Sequence, residues 1–293
     1  MAGTVGLMQC AEHDVGSAGT PSATMLAFDK VLSGEMNYDG GAPEHTTGTG
    51  GQDSQHRGMV TPIGSAETEV QTHTLLACLK PASIGALPTC IAEIQGGEVA
   101  NADASRKQAD CYVSEVKLGC AMGGTLRCAY GWMGLSEADV VISAKAAKQT
   151  NSVVKWHAGS ALLSGLAYKM QSFEATAKTG ITPQSSLDDK DDDNRFPEWF
   201  DPGDFEVNIS LQLRVEPGID LRAANPSTVT FAWTGVDTEG APKTFTLDLT
   251  GGSGLEVTSH PLPIVAGKDV VIWRVDAQAD HNDLAGWVTT FAA

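Results

Sequence analysis

A chain of 293 residues, 42% hydrophobic and only 19% charged, is long enough to bury a sizeable core and too apolar to be disordered. Its 36 acidic against 19 basic residues leave a net charge of -17. That excludes the usual basic nucleic-acid binder, which gains affinity by displacing counterions from phosphate. No stretch approaches the roughly 20 apolar residues of a membrane helix. The opening MAGTVGLMQCAEHDVG also lacks the basic start and apolar core of a signal peptide. The six cysteines are therefore expected to stay reduced, as small buried hydrophobes in a cytosolic setting. Thirty-two glycines and many short runs between turn residues point to an all-β fold, with at most one or two short helices.

In chain order, Thr24–Phe28 reads as a short strand. Ser33–Gly58 has almost no aliphatic residues and many glycines, and reads as a long loop, a contact arm in an assembly. Ser65–Leu79 reads as an extended lead-in followed by a helical turn, and Thr89–Ile94 as a strand turning at Gly96-Gly97 into Glu98–Ala104.

The stretch Cys111–Gly134 alternates in side-chain character on both sides of Gly123-Gly124, the signature of a long antiparallel hairpin. Cys120 and Cys128 are expected to face each other across it. Strands follow at Val140–Ser143 and within Leu166–Gly180.

Ser186–Glu206 carries nine acids and two bases. Such a run self-repels and reads as a solvated loop, anchored by Phe196, Trp199 and Phe200. Phe205–Val215 is the cleanest strand: Phe205, Val207, Ile209, Leu211, Leu213 and Val215 share one face, Glu206, Asn208, Ser210, Gln212 and Arg214 the other. Ile219–Ala224 is short enough for one helix. Strands at Thr228–Trp233, Thr244–Leu249, Val270–Ala277 and Gly286–Phe291 complete a sandwich or barrel.

No nucleophile elbow, zinc-protease helix, P-loop or dinucleotide fingerprint is present. His45 and His56 lie singly in a polar loop, where solvation is the ordinary fate. Counted as a calcium loop from Asp188, the sixth position is Asp193 and the twelfth Trp199, which fails the EF-hand pattern. Glu198 and Asp201 beside Trp199 have the composition of a glycosidase pair, but acids in a charge run face solvent. No catalytic, cofactor or metal residue is assigned, and the protein is expected not to be an enzyme. A decoration or adhesion β-sandwich that binds glycan is the alternative class.

The segments GSAETEVQTHTLLACL, LPTCIAEIQGGE, DCYVSEVKLGCAMGGTLRCAYGWMGL and FEATAKTGITPQSS leading to PEWFDPGDFEVNISLQLRV appear in an order that resembles the tail tube proteins of long-tailed bacteriophages. The resemblance spans about Met8–Val215, with Asp110-Cys111 standing where the family often has Gly-Cys. It implies a structural virion subunit, made in the host cytoplasm, that forms a ring of six stacked into a tail tube. A duplicated, trimer-forming variant belongs to the same family.

Tape measure, tail terminator and baseplate proteins are the implied partners, and DNA passes through the lumen without specific binding. Residues 1–215 are then the tube domain, with an arm at 33–58 and an acidic loop at 183–204; residues 216–293 complete the barrel or add a small lobe. Met36, Tyr38, His45, His56, Trp199 and Phe200 are the expected inter-subunit contacts. Glu115, Glu206 and Asp248 are the expected lumen-facing acids.

Overall fold

A computed structural model describes residues 7–13, 25–40, 60–71, 89–95, 105–139, 146–147, 150, 152–155, 159–163, 166–185, 196–214, 229–234, 244–248, 255–259, 272–279 and 288–292. Among them every regular element is a strand. In chain order these are β1 (Leu7–His13), β2 (Leu26–Ala27), β3 (Lys30–Gly40), β4 (Val60–Glu69), β5 (Thr89–Gln95), β6 (Ser105–Ala121) and β7 (Arg127–Met133). Then come β8 (Ser136–Asp139), β9 (Gly159–Leu163), β10 (Leu166–Tyr168), β11 (Met170–Lys178), β12 (Thr182–Gln184) and β13 (Trp199–Asp201). The last are β14 (Glu206–Arg214), β15 (Val229–Thr234), β16 (Thr244–Asp248), β17 (Leu255–Ser259), β18 (Ile272–Ala279) and β19 (Val288–Ala292).

The all-β reading holds, and alternation is the reason. Along β14 the residues Phe205, Val207, Ile209, Leu211 and Leu213 are all buried, and the intervening polar side chains are exposed or half-exposed. The β6–β7 hairpin turns at Met122–Thr125, where Gly123 takes φ +81° without Cβ strain. Cys128 lies opposite Leu118 rather than Cys120, in a register that runs unbroken from Gly119↔Arg127 beside the turn to Glu115↔Gly131. Cys10, Cys111, Cys120 and Cys128 are free and buried.

Two layers enclose the core. Eight strands run in the order β3-β4-β7-β6-β11-β14-β18-β17, every neighbour antiparallel. Their apolar face is covered twice. Over the first half, β6 bends out of the layer near Asp110 (φ +51°) and its leading part joins the order β2-β1-β5-β6-β8. Phe28, beside β2, meets Tyr130 edge-on and Trp132 obliquely, each at 6.0 Å. Over the second half lies a five-stranded sheet, β10-β9-β15-β16-β19. There Phe231 stacks on Phe173 with centroids 4.2 Å apart and planes 19° apart.

One of the expected elements needs correction, and others fall outside the described residues. Ser33–Gly40, read as the start of the long loop, belongs to strand β3, whose ladder to β4 runs Lys30↔Glu69 to Gly40↔Val60. Main-chain pairing with a well-patterned neighbour outweighs its poor intrinsic β-propensity. Ser65–Glu69 is extended as expected, whereas residues 72–79 lie outside the description. Glu98–Ala104, Val140–Ser143 and Ile219–Ala224 lie outside it as well.

Candidate assembly surfaces

The solvent face of the eight-stranded layer carries the polar half of each alternating strand. Its centre is a shallow trough of about 840 Å³ lined among others by Glu67, Glu69, Lys117, Arg127, Glu174 and Arg274. Charges there are laddered across neighbouring strands rather than pooled. Lys117 Nζ meets Glu174 at 2.9 Å and Arg127 meets Glu67 at 3.3 Å across neighbouring strands, whereas Arg274 meets Asp276 at 3.1 Å along β18 itself.

Glu69 takes an ion pair from Lys30 and a hydrogen bond from the Thr125 hydroxyl at 3.0 Å. The Lys30 contact is the main cause that holds its carboxyl below the usual range, against the opposing effect of burial. Paired charges of this sort position no reactive group. Among the described residues, no three His, Cys, Asp or Glu converge as a metal set would require.

The acids expected on this face are placed as follows. Glu115 on β6 and Glu206 on β14 both lie opposite Lys178 on β11, one on each side. The three therefore form one row across three strands, two acids flanking a base. Asp248 belongs to the covering sheet, opposite Thr230 and Val288. Alternation gave the face of Glu115 and Glu206; nothing local in the sequence told that Lys178 stands between them.

The expected contact residues separate. Met36 is half-buried and packs against the main core, and Tyr38 sits on β3 opposite Pro62. His45 and His56 lie outside the described residues. Phe200 is buried within the chain, edge-on to Tyr112 at 5.1 Å, in a small cluster with Ile181. Trp199 is 43% exposed and donates its indole N–H to Asp201 at 3.2 Å. The strands β12 and β13 that carry this corner pair with each other and flank the acidic run. Glu198, the other acid of the pair considered for hydrolysis, is exposed.

What sequence reading missed is the pair of open edges. Among the described residues strand β3 pairs only with β4 and β17 only with β18, so no described strand covers either end of the eight-stranded layer. Val31 and Leu32 on β3 are about 40% exposed as well.

A sandwich with a polar, charge-laddered face and two sheet edges that no described strand covers offers surfaces for association with further strands. The family model described as "Phage tail tube protein" matches residues 88–279, from the strand just before β6 through β18. The chain belongs to that family and is a structural subunit of a phage tail tube. Its place is the virion tail. No curated protein matches the chain.

Proposed function

We propose that copies of this chain close into rings of six, stacked so that the polar face of the eight-stranded layer lines a conduit for DNA. The observation that carries the reading is the pair of sheet edges that no described strand covers, in a chain of the tail tube family. An exposed edge is a hazard in a monomer and a joint in an assembly. Glu115 and Glu206 face the lumen in this arrangement, and the net charge of -17 keeps DNA from adhering to the tube.

Met36, Tyr38, His45, His56 and the exposed Trp199 meet neighbouring subunits, and Phe200 supports Trp199 from beneath. Residues 216–293 complete the same body, since β18 continues the layer beside β14 over eight residues, Val207↔Ala279 to Arg214↔Ile272. Tape measure, terminator and baseplate proteins cap and fill the tube, and the chain itself catalyses nothing.

Electron microscopy of the purified chain at high concentration tests this. Tubes or stacked rings with a central hole are expected. Particles without a hole, or chains that only dimerise, would overturn it.

A further inference from the structure

The β6–β7 hairpin keeps Cys120 and Cys128 out of register, but the ladder between β5 and β6 sets Cys90 directly opposite Cys111. Opposed residues of an antiparallel pair have Cα atoms about 4.5–5.5 Å apart, inside the range of roughly 4.4–6.8 Å over which a disulfide closes. No other described cysteine has a cysteine opposite it. Cys10 lies opposite Leu26 and Ala92, Cys120 opposite Phe173, and Cys128 opposite Thr68 and Leu118.

The pair marks the place where β6 changes layers. Past Cys90↔Cys111 the next partners are Ala92 and Gln108, so Ile91 alone faces Ala109 and Asp110. Asp110 takes up the extra residue in the left-handed region, at φ +51°. A bulge of this kind bends the strand and interrupts its ladder. Cys111 is the first residue after it, and from Tyr112 onward β6 pairs with β7. A covalent bond at this register position fastens β5 to β6 where main-chain pairing is broken.

The thiol of Cys111 is free and wholly buried. It rests over Gly134, where a Cβ would come within 3.2 Å of Sγ. Gly134 leads into β8, and β8 and β5 flank β6 on opposite edges. A cysteine sulfur has three staggered positions about its one side-chain torsion. One turn about that bond therefore carries Sγ from the Gly134 side to the β5 side.

We propose that Cys90 and Cys111 form a disulfide site, open in the chain as it folds and closed once the virion meets an oxidising medium. The thiol pool of a cytosol keeps such a pair reduced, and a particle outside the cell has no such pool. Closing joins Cys90 Sγ to Cys111 Sγ. The two thiols give up two protons and two electrons to dissolved oxygen, which leaves as hydrogen peroxide. Oxygen is small and uncharged, as an oxidant for a buried thiol must be. The bond constrains residues 90–111 in the unfolded chain and so raises the stability of a particle already built.

Air oxidation of the purified full-length chain, with a trace of copper ion as catalyst, tests the site. Thiols titrated after denaturation are expected to fall from six to four. Digestion should give one linked pair of peptides, carrying Cys90 and Cys111. The thermal midpoint is expected to rise by about 5–10 °C, and dithiothreitol to reverse both changes. Cys90→Ser and Cys111→Ser, each checked for native circular dichroism, should lose no thiol and show no rise.

The same oxidation of the urea-unfolded chain controls for the reagent. Six thiols kept by the native chain while the unfolded chain loses them overturn the site. A bond that uses any other cysteine, within a chain or between chains, overturns it as well. A Cys90–Cys111 link with an unchanged thermal midpoint overturns its role as a staple. None of these results bears on whether the chain forms tubes, which electron microscopy reads separately.

Discussion

The indole N–H of Trp132 donates to the side-chain oxygen of Gln108 at 2.8 Å, both residues being buried. The amide of Gln108 in turn donates to the main-chain oxygens of Ile63 at 3.1 Å and Asn37 at 3.3 Å, and to Glu137 at 2.8 Å. One side chain thereby ties β3, β4, β7 and β8 to β6 just where β6 leaves one layer for the other.

Gln108→Leu is expected to lower stability by about 2–4 kcal/mol, because it leaves the buried indole donor without its acceptor and removes three further bonds. Denaturant unfolding followed by Trp fluorescence measures it. A loss under about 0.5 kcal/mol would show that the network contributes little.

Gly64 is the clearance for that indole. A Cβ built there would lie 2.1 Å from Trp132 Cε2, and the ring is held by Gln108 and cannot swing aside. Gly64→Ala is expected to cost about 2 kcal/mol or more through overpacking. A thermal midpoint equal to that of the unmodified chain would contradict this placement of the ring.

A second close approach sets the corner beneath the acidic run. A Cβ at Gly203 would fall 1.9 Å from the Gly180 oxygen, and Gly180 itself has φ +59°. Gly203→Ala is expected to push the β12–β13 hairpin off its seat, freeing Phe200 from Tyr112. The readout is fluorescence quenching of the neighbouring Trp199 by acrylamide, which should rise, with a stability loss of about 1–3 kcal/mol.

The buried thiols give the fold a pH limit. Burial pushes the Cys120 thiol up to about 11 and Cys128 further still, from an ordinary value of 9.0. Between those values the unfolded chain has released protons that the folded chain retains, so stability is full below about pH 9 and falls as pH rises beyond it. The urea midpoint is expected to drop from pH 8 to pH 10.5, and Cys128→Ala to flatten the drop. Near pH 8 only about a thousandth of Cys120 is thiolate, so disulfide reagents should label it only after unfolding.

Much of the layer structure was legible from alternation. Strand β14 shows it plainly, since from Phe205 to Leu213 every second side chain is buried and those between are exposed or half-exposed. The β6–β7 hairpin followed from two flanking alternations around Gly123-Gly124. Strand β3 did not, because Ser33, Gly34, Glu35, Asn37 and Asp39 carry no apolar period; its strand state comes from β4, sixty residues into the chain.

Register is likewise a property of pairs. No reading of β6, β11 or β14 alone placed Lys178 between Glu115 and Glu206, or Leu118 opposite Cys128.

The continuity of β6 has a mechanical consequence. In the first half a single covalent strand runs from one layer into the other, so the layers cannot slip past each other without breaking backbone geometry. In the second half the corresponding path is divided into β16 and β17, joined through the six residues Leu249–Gly254, three of them glycine. Between the layers of that half the described contact is Phe173 stacked on Phe231, side chain to side chain. Each subunit thus resists shear between its layers by backbone continuity through β6, and not by packing alone.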